Sequence, residues 1–160
     1  MIKLLGIFLI SSSVCVYGMN LSRKVKYTNT LREDIYLLLK AIERDIKFGC
    51  IPISRILASY TPITKSIEEL LSSLSNEKNA DNTIEENLQL LTENEREKLK
   101  VFFSVIGKSS CSEKELILCR NCIDFFEEIN AKSKKDADTS ATLYRKLGIL
   151  GGIMTIIILI

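Results

Sequence analysis

Leu4–Gly18 reads LLGIFLISSSVCVYG and Leu147–Ile160 reads LGILGGIMTIIILI, and neither stretch carries a charge. Between them lies a long segment that mixes charged and apolar residues in helical spacing. This layout decides the fold. It predicts an all-α protein: an antiparallel helical bundle between two terminal transmembrane helices, with a long C-terminal helix leading into the second span. The expected division is an N-terminal span over 2–19, a cytoplasmic all-α domain over 20–146 and a C-terminal span over 147–160. At helical rise Leu4–Met19 is about 24 Å long and the C-terminal run about 21 Å, both short of a ~30 Å hydrocarbon core. Snorkelling by Arg145 and Lys146, or local thinning of the bilayer, closes that gap. Gly148, Gly151 and Gly152 place small residues at a spacing that lets another helix approach closely in lipid.

Basic residues set the orientation. Arg23 and Lys24, followed by Lys26 and Arg32, flank the first run on the body side. Arg145 and Lys146, preceded by Lys132, Lys134 and Lys135, flank the second. The positive-inside rule therefore puts the body in the cytoplasm. A competing reading is an exported protein with a cleaved signal peptide, for which Val16-Tyr17-Gly18 is a poor cleavage site, and a C-terminal membrane anchor.

The net charge is +2, and basic residues are interleaved with acidic ones rather than gathered on one face, which excludes the usual nucleic-acid binder. Leu, Ile, Lys, Glu and Ser favour helices over strands. From Leu31 the apolar residues fall at Leu31, Ile35, Leu38, Leu39, Ile42 and Ile46, one stripe of an amphipathic helix that begins near Leu21 and stops at Gly49. Pro52 opens a short helix through Tyr60, and Pro62 ends it. Ile63, Ile67, Leu70, Leu71 and Leu74 form the core side of a third helix. Ser75–Asn82 reads as a loop, and a short helix follows over about Thr83–Leu91. Thr92 with Glu95 and Ser112 with Glu115 are capping boxes. The helix after the first carries Leu99, Phe102, Phe103 and Ile106 and stops at Gly107. The helix after the second presents Leu116, Cys119, Ile123 and Phe126 beside Leu118, Cys122, Phe125 and Ile129. Beyond Asn130 it turns polar and small, the pattern of a stalk clear of the core.

No residues are assigned to catalysis, to a cofactor or to a metal, and the chain is not read as an enzyme. It contains no histidine, so Ser-His and Cys-His nucleophile pairs cannot form. Cys119-x-x-Cys122, with Cys111 and Cys50, is the only metal-like spacing. On an apolar helix arc it reads as two small core hydrophobes, with a zinc-stabilised adaptor the weaker alternative. Gly107-Lys108-Ser109 lacks the first glycine of a phosphate loop. Glu68-Glu69 and Glu85-Glu86 are neighbours that point apart on a helix.

Several landmarks resemble the stage III sporulation protein AB family. They are the N-terminal MIKLLGIFLI, Asp45-Ile46-Lys47-Phe48-Gly49 before Cys50-Ile51-Pro52-Ile53, and Phe103–Ser109 (FSVIGKS). The most specific is Leu143–Gly152 (LYRKLGILGG) leading into the apolar tail. The resemblance covers nearly the whole chain. It implies a component of the mother-cell membrane around the forespore, within the channel complex that joins the two cells. It also implies similarity to platform proteins of type II secretion and type IV pilus machines. The implied partners are other channel components, including the complex's cytoplasmic ATPase. The family carries no catalytic residues to transfer. The cysteines match no motif of that family, and the Leu74–Thr92 segment is shorter than the family pattern.

Overall fold

A computed structural model describes residues 2–49, 53–75, 80–106 and 113–159. The described residues form six α-helices and no strand: α1 (Ile2–Gly49), α2 (Ile53–Ser59), α3 (Lys65–Ser75), α4 (Ala80–Asn87), α5 (Glu93–Val105) and α6 (Glu113–Leu159). The expected landmarks Cys50, Pro52, Gly107 to Ser109, Cys111 and Ser112 lie outside the described residues, as do residues 76–79 of the expected Ser75–Asn82 loop, while Ser75 closes α3 and 80–82 open α4.

Two compact units divide the chain. One is Thr30–Ala131, and the other joins Met1–Asn29 to Lys132–Ile160. In the first, the expected α1 stripe is fully realised. Leu31, Ile35, Leu38, Leu39, Ile42 and Ile46 are buried in a core with Ile56, Ile67, Leu70, Leu71, Ile84, Leu88, Leu91, Leu99, Phe102, Ile106, Cys119, Cys122, Ile123 and Phe126. Each large side chain so buried contributes roughly 1.5–3 kcal/mol relative to exposure. Phe103, Leu116, Leu118 and Phe125 are half-buried against that core.

Local signals fix the ends of these helices. Thr92 caps α5 with the reciprocal bonds read from the sequence: its hydroxyl accepts from the Glu95 amide, and the Glu95 carboxylate accepts from the Thr92 amide. Thr64 ends the turn before α3, its carbonyl accepting from the amides of Ile67 and Glu68. Ile63 departs from expectation. It is 59 % exposed, because it lies in that turn, where its backbone amide rather than its side chain is engaged, donating to Asp34.

Helix α1 does not begin near Leu21. It is continuous from Ile2, since no proline interrupts it and single glycines are tolerated inside a helix at about 1 kcal/mol each. Helix α6 is likewise unbroken through Gly148, Gly151 and Gly152. The stalk expected after Asn130 is not a lone helix. Ala137 and Ala141 are buried, though outside the core cluster of the other unit.

Candidate functional site: the paired terminal helices

The unit formed by 1–29 and 132–160 is a pair of helical segments, and its packing is set by small residues. Three contacts give its direction. Ser11 Oγ donates to the Gly152 carbonyl at 2.9 Å, Gly18 meets Gly148, and Ser133 Oγ donates to Asn29 Oδ1 at 2.8 Å. As the first segment ascends in number the second descends, so the two are antiparallel.

Backbones touch at Gly18 and Gly148. A Cβ on Gly18 would lie 2.6 Å from the Gly148 Cα and 2.8 Å from the Tyr144 carbonyl oxygen; one on Gly148 would lie 2.9 Å from the Gly18 Cα. Backbone atoms cannot move aside as a side-chain tip can, so both positions require glycine. One turn further along, a Cβ on Gly152 would come within 2.5 Å of Cys15 Sγ and 3.2 Å of the Ser11 carbonyl, while Gly151 faces Val14. The cysteine side chain fills the notch that Gly152 leaves.

Of the residues singled out in the sequence, Gly148 and Gly152 line this contact and are buried, and Gly151 is half-buried at its edge. Arg23, Lys24, Arg145 and Lys146 are all exposed. Sequence reasoning missed the opposing face, Ser11, Cys15 and Gly18. The signal was present: Ser11 and Cys15 stand four residues apart, as Gly148 and Gly152 do, and Gly18 follows three further on.

The other side of the pair is apolar and uncovered. Phe8, Leu9, Ile10, Val16, Tyr17 and Met19 on α1 are exposed, as are Leu147, Ile149, Leu150, Ile153, Met154, Ile157 and Ile158 on α6. Among the described residues one helix, α6, is long and apolar enough to cross a membrane by length and composition.

The Thr30–Ala131 unit holds the described polar groups that most resembled chemistry. Cys119 and Cys122 are buried in the core. Burial pushes both thiols up to about 12, which keeps them protonated and unreactive. Cys119 Sγ donates weakly to the Leu39 carbonyl at 3.6 Å. Among the described residues no cluster of three or more His, Cys, Asp or Glu is placed to hold a metal ion. Glu68, Glu69, Glu85 and Glu86 are exposed, and Glu85 pairs with Arg96 and Lys100.

Two buried carboxylates, Asp34 and Glu95, have partners that the sequence reading did not give them. Asp34 on α1 is fully buried. Its Oδ1 accepts from the Tyr60 hydroxyl, and its Oδ2 from the amides of Ile63 and Thr64 and from the Thr64 hydroxyl, at 2.7 to 3.0 Å. It thereby ties α1 to the start of α3, where a carboxylate also suits the helix dipole. Burial, then the Asp34 hydrogen bond, pushes the Tyr60 phenol up. Glu95 is equally buried and accepts from Arg32 Nε at 2.6 Å and Nη2 at 3.2 Å. Burial opposes its charge, yet the Arg32 guanidinium and the Thr92 amide and hydroxyl together hold the carboxyl below its ordinary value.

Fold and site define an all-helical chain whose ends pair through glycine and display apolar side chains, with a charged helical body and no assembled catalytic group among the described residues. The profile of the stage III sporulation protein AB family matches residues 3–160, and the chain belongs to that family, which assigns it to sporulation. No curated protein and no solved structure gives a significant match.

Proposed function

We propose that this chain is a non-enzymatic membrane component of the stage III sporulation channel complex. Its two terminal helices insert as a hairpin into the mother-cell membrane around the forespore. Its Thr30–Ala131 body stays in the cytoplasm as a scaffold that docks the channel's ATPase and other components.

One observation carries the reading. The uncharged parts of α1 and α6 are paired in register. Through the Gly18–Gly148 contact, Lys146, the last charge of α6, stands at the level of Asn20, and Arg23, the charge that closes the uncharged run of α1, follows within about 5 Å at 1.5 Å per residue. Both runs thus leave the apolar zone within about one helical turn of each other, as a bilayer surface requires. Tyr17 and Tyr144 are exposed near that height, the place where amphipathic rings favour the interface. The display of large apolar side chains beyond it far exceeds the isolated surface hydrophobes of a soluble monomer.

The same pairing argues against a cleaved leader. Cleavage after Gly18 removes Ser11, Cys15 and Gly18, and leaves Gly148 and Gly152 facing nothing. N-terminal sequencing of the mature protein checks this, since a start at Met19 or Asn20 would revive the exported reading.

A reporter fused after Ile160 tests the topology, with activity expected only on the side opposite the cytoplasm. Crosslinkers placed at Arg44, Glu69 and Glu128, all exposed on the body, are expected to capture other channel components during sporulation. Their failure to do so removes the docking role.

A further inference from the structure

The net charge of +2 conceals a split. Met1–Asn29 and Lys132–Ile160 together hold nine Lys or Arg against two Asp, a net of +7. Thr30–Ala131 holds thirteen against eighteen acidic residues, a net of −5. Apart from Lys3, the cations of the terminal pair occupy two stretches, 23–26 and 132–146. None of the ion pairs among the described residues engages Arg23, Lys24, Arg145 or Lys146, and all four are exposed.

Position separates these four from the rest. The antiparallel register puts Arg145 and Lys146 level with Met19–Leu21, and Arg23 and Lys24 lie within about 8 Å further along the helix, at 1.5 Å per residue. All four therefore sit within about one physiological Debye length of the edge of the exposed apolar surface. Lys134 and Lys135 lie roughly 16–18 Å beyond Lys146 on the same rise.

We infer that Arg23, Lys24, Arg145 and Lys146 form a collar that recruits anionic phospholipid headgroups around the terminal helix pair. The inference rests on the membrane reading above and adds the chemistry of the lipid. The neighbourhood selects the ligand. A cation directly beside exposed isoleucine and leucine meets a phosphate that carries acyl chains, and a nucleic acid would leave those apolar side chains in water. The body, being acidic, adds no attraction to an anionic surface, so the selectivity belongs to the collar.

The full-length chain reconstituted in phosphatidylcholine bilayers with a minor fraction of phosphatidylglycerol provides the test. Spin-labelled forms of each lipid report which one lingers at the protein. Phosphatidylglycerol is expected to be enriched about fivefold, the factor contributed by one well-placed cation. The enrichment should collapse in about 1 M salt, where the Debye length shrinks to about 3 Å. Joint substitution Arg23→Gln, Lys24→Gln, Arg145→Gln and Lys146→Gln should bring the two lipids to parity. The pair Lys134→Gln and Lys135→Gln should leave most of the enrichment. Arg23→Lys with Arg145→Lys keeps the charge and should keep the effect.

Absence of enrichment in the wild type overturns the inference, as does an equal loss in the collar and the distal variants. Retention in pure phosphatidylcholine vesicles after carbonate washing separates the two readings. A chain that washes off defeats the membrane hairpin itself, whereas a chain that stays without lipid preference defeats only the collar.

Discussion

The two compact units use the same residue types to opposite ends. In Thr30–Ala131, leucine, isoleucine and phenylalanine point inward, and Phe102 and Phe126 are fully buried. In the paired termini the small residues point inward and the large ones outward: Gly18, Gly148 and Gly152 are buried while Phe8 is 68 % and Ile158 75 % exposed. Water drives large apolar groups together, so a core built under water gathers them. Lipid offers no such drive, and close backbone approach through glycine becomes the main source of contact. On the membrane hairpin proposed above, the inversion is what the two solvents impose on the two units.

The contrast breaks first at the glycine contact. Gly148→Leu places a branched side chain against the Gly18 Cα and the Cys15 carbonyl. Overpacking against yielding side chains costs roughly 1–3 kcal/mol, and here the obstacle is backbone. The pair is expected to separate to the ~8–10 Å axial distance of ordinary helix pairs. Spin labels at positions 16 and 149, both exposed in the native chain, should report a longer distance, while the denaturation midpoint of the body stays put. An unchanged label distance would mean that the glycines do not set the approach.

Within the body the sharpest probe is electrostatic. Arg32→Gln leaves the buried Glu95 carboxylate with only its Thr92 donors. The expected loss is about 2 kcal/mol, below that of a fully buried pair because Arg32 keeps some water contact. The sign with pH follows from the depressed Glu95 carboxyl. Its contribution is complete above the unfolded carboxyl value of about 4.3 and is lost as pH falls through the lower folded value. The stability gap between wild type and variant in urea melts should be full at neutral pH and close below about pH 4. A gap that persists in acid means that Arg32 stabilises by packing rather than by pairing.

Much of the body could be read from spacing alone. The α1 stripe, the Thr92–Glu95 capping box and the passage of one helix into the C-terminal apolar run are local patterns, and each is present. What escaped was either non-local or disguised. Asp34 carried no local signal, and Glu95 only that of its capping role, because their partners Tyr60, Thr64 and Arg32 lie 26 to 63 residues away. Ile63 looked like a core position because a helical phase was extended back across the turn after Pro62. Ser11, Cys15 and Gly18 were hidden inside a run scored only for being uncharged. In such a run the informative residues are the small ones, and they become legible only when set against the opposing helix.

The smallest effect is the most discriminating. Gly6 and Gly18 lie on the same helix, but a Cβ on Gly6 meets nothing within 4 Å, whereas one on Gly18 meets backbone at 2.6 Å. If the glycines of α1 were there for flexibility, Gly6→Ala and Gly18→Ala would act alike. Each would stabilise the helix by up to about 1 kcal/mol, the ordinary advantage of alanine. If contact decides, the two part in sign: Gly6→Ala raises the thermal midpoint of the full chain in detergent slightly, and Gly18→Ala lowers it. Equal shifts from both would return the termini to two independent apolar helices. Opposite shifts would show that one residue type serves two purposes on one helix, and that only the position facing α6 requires it.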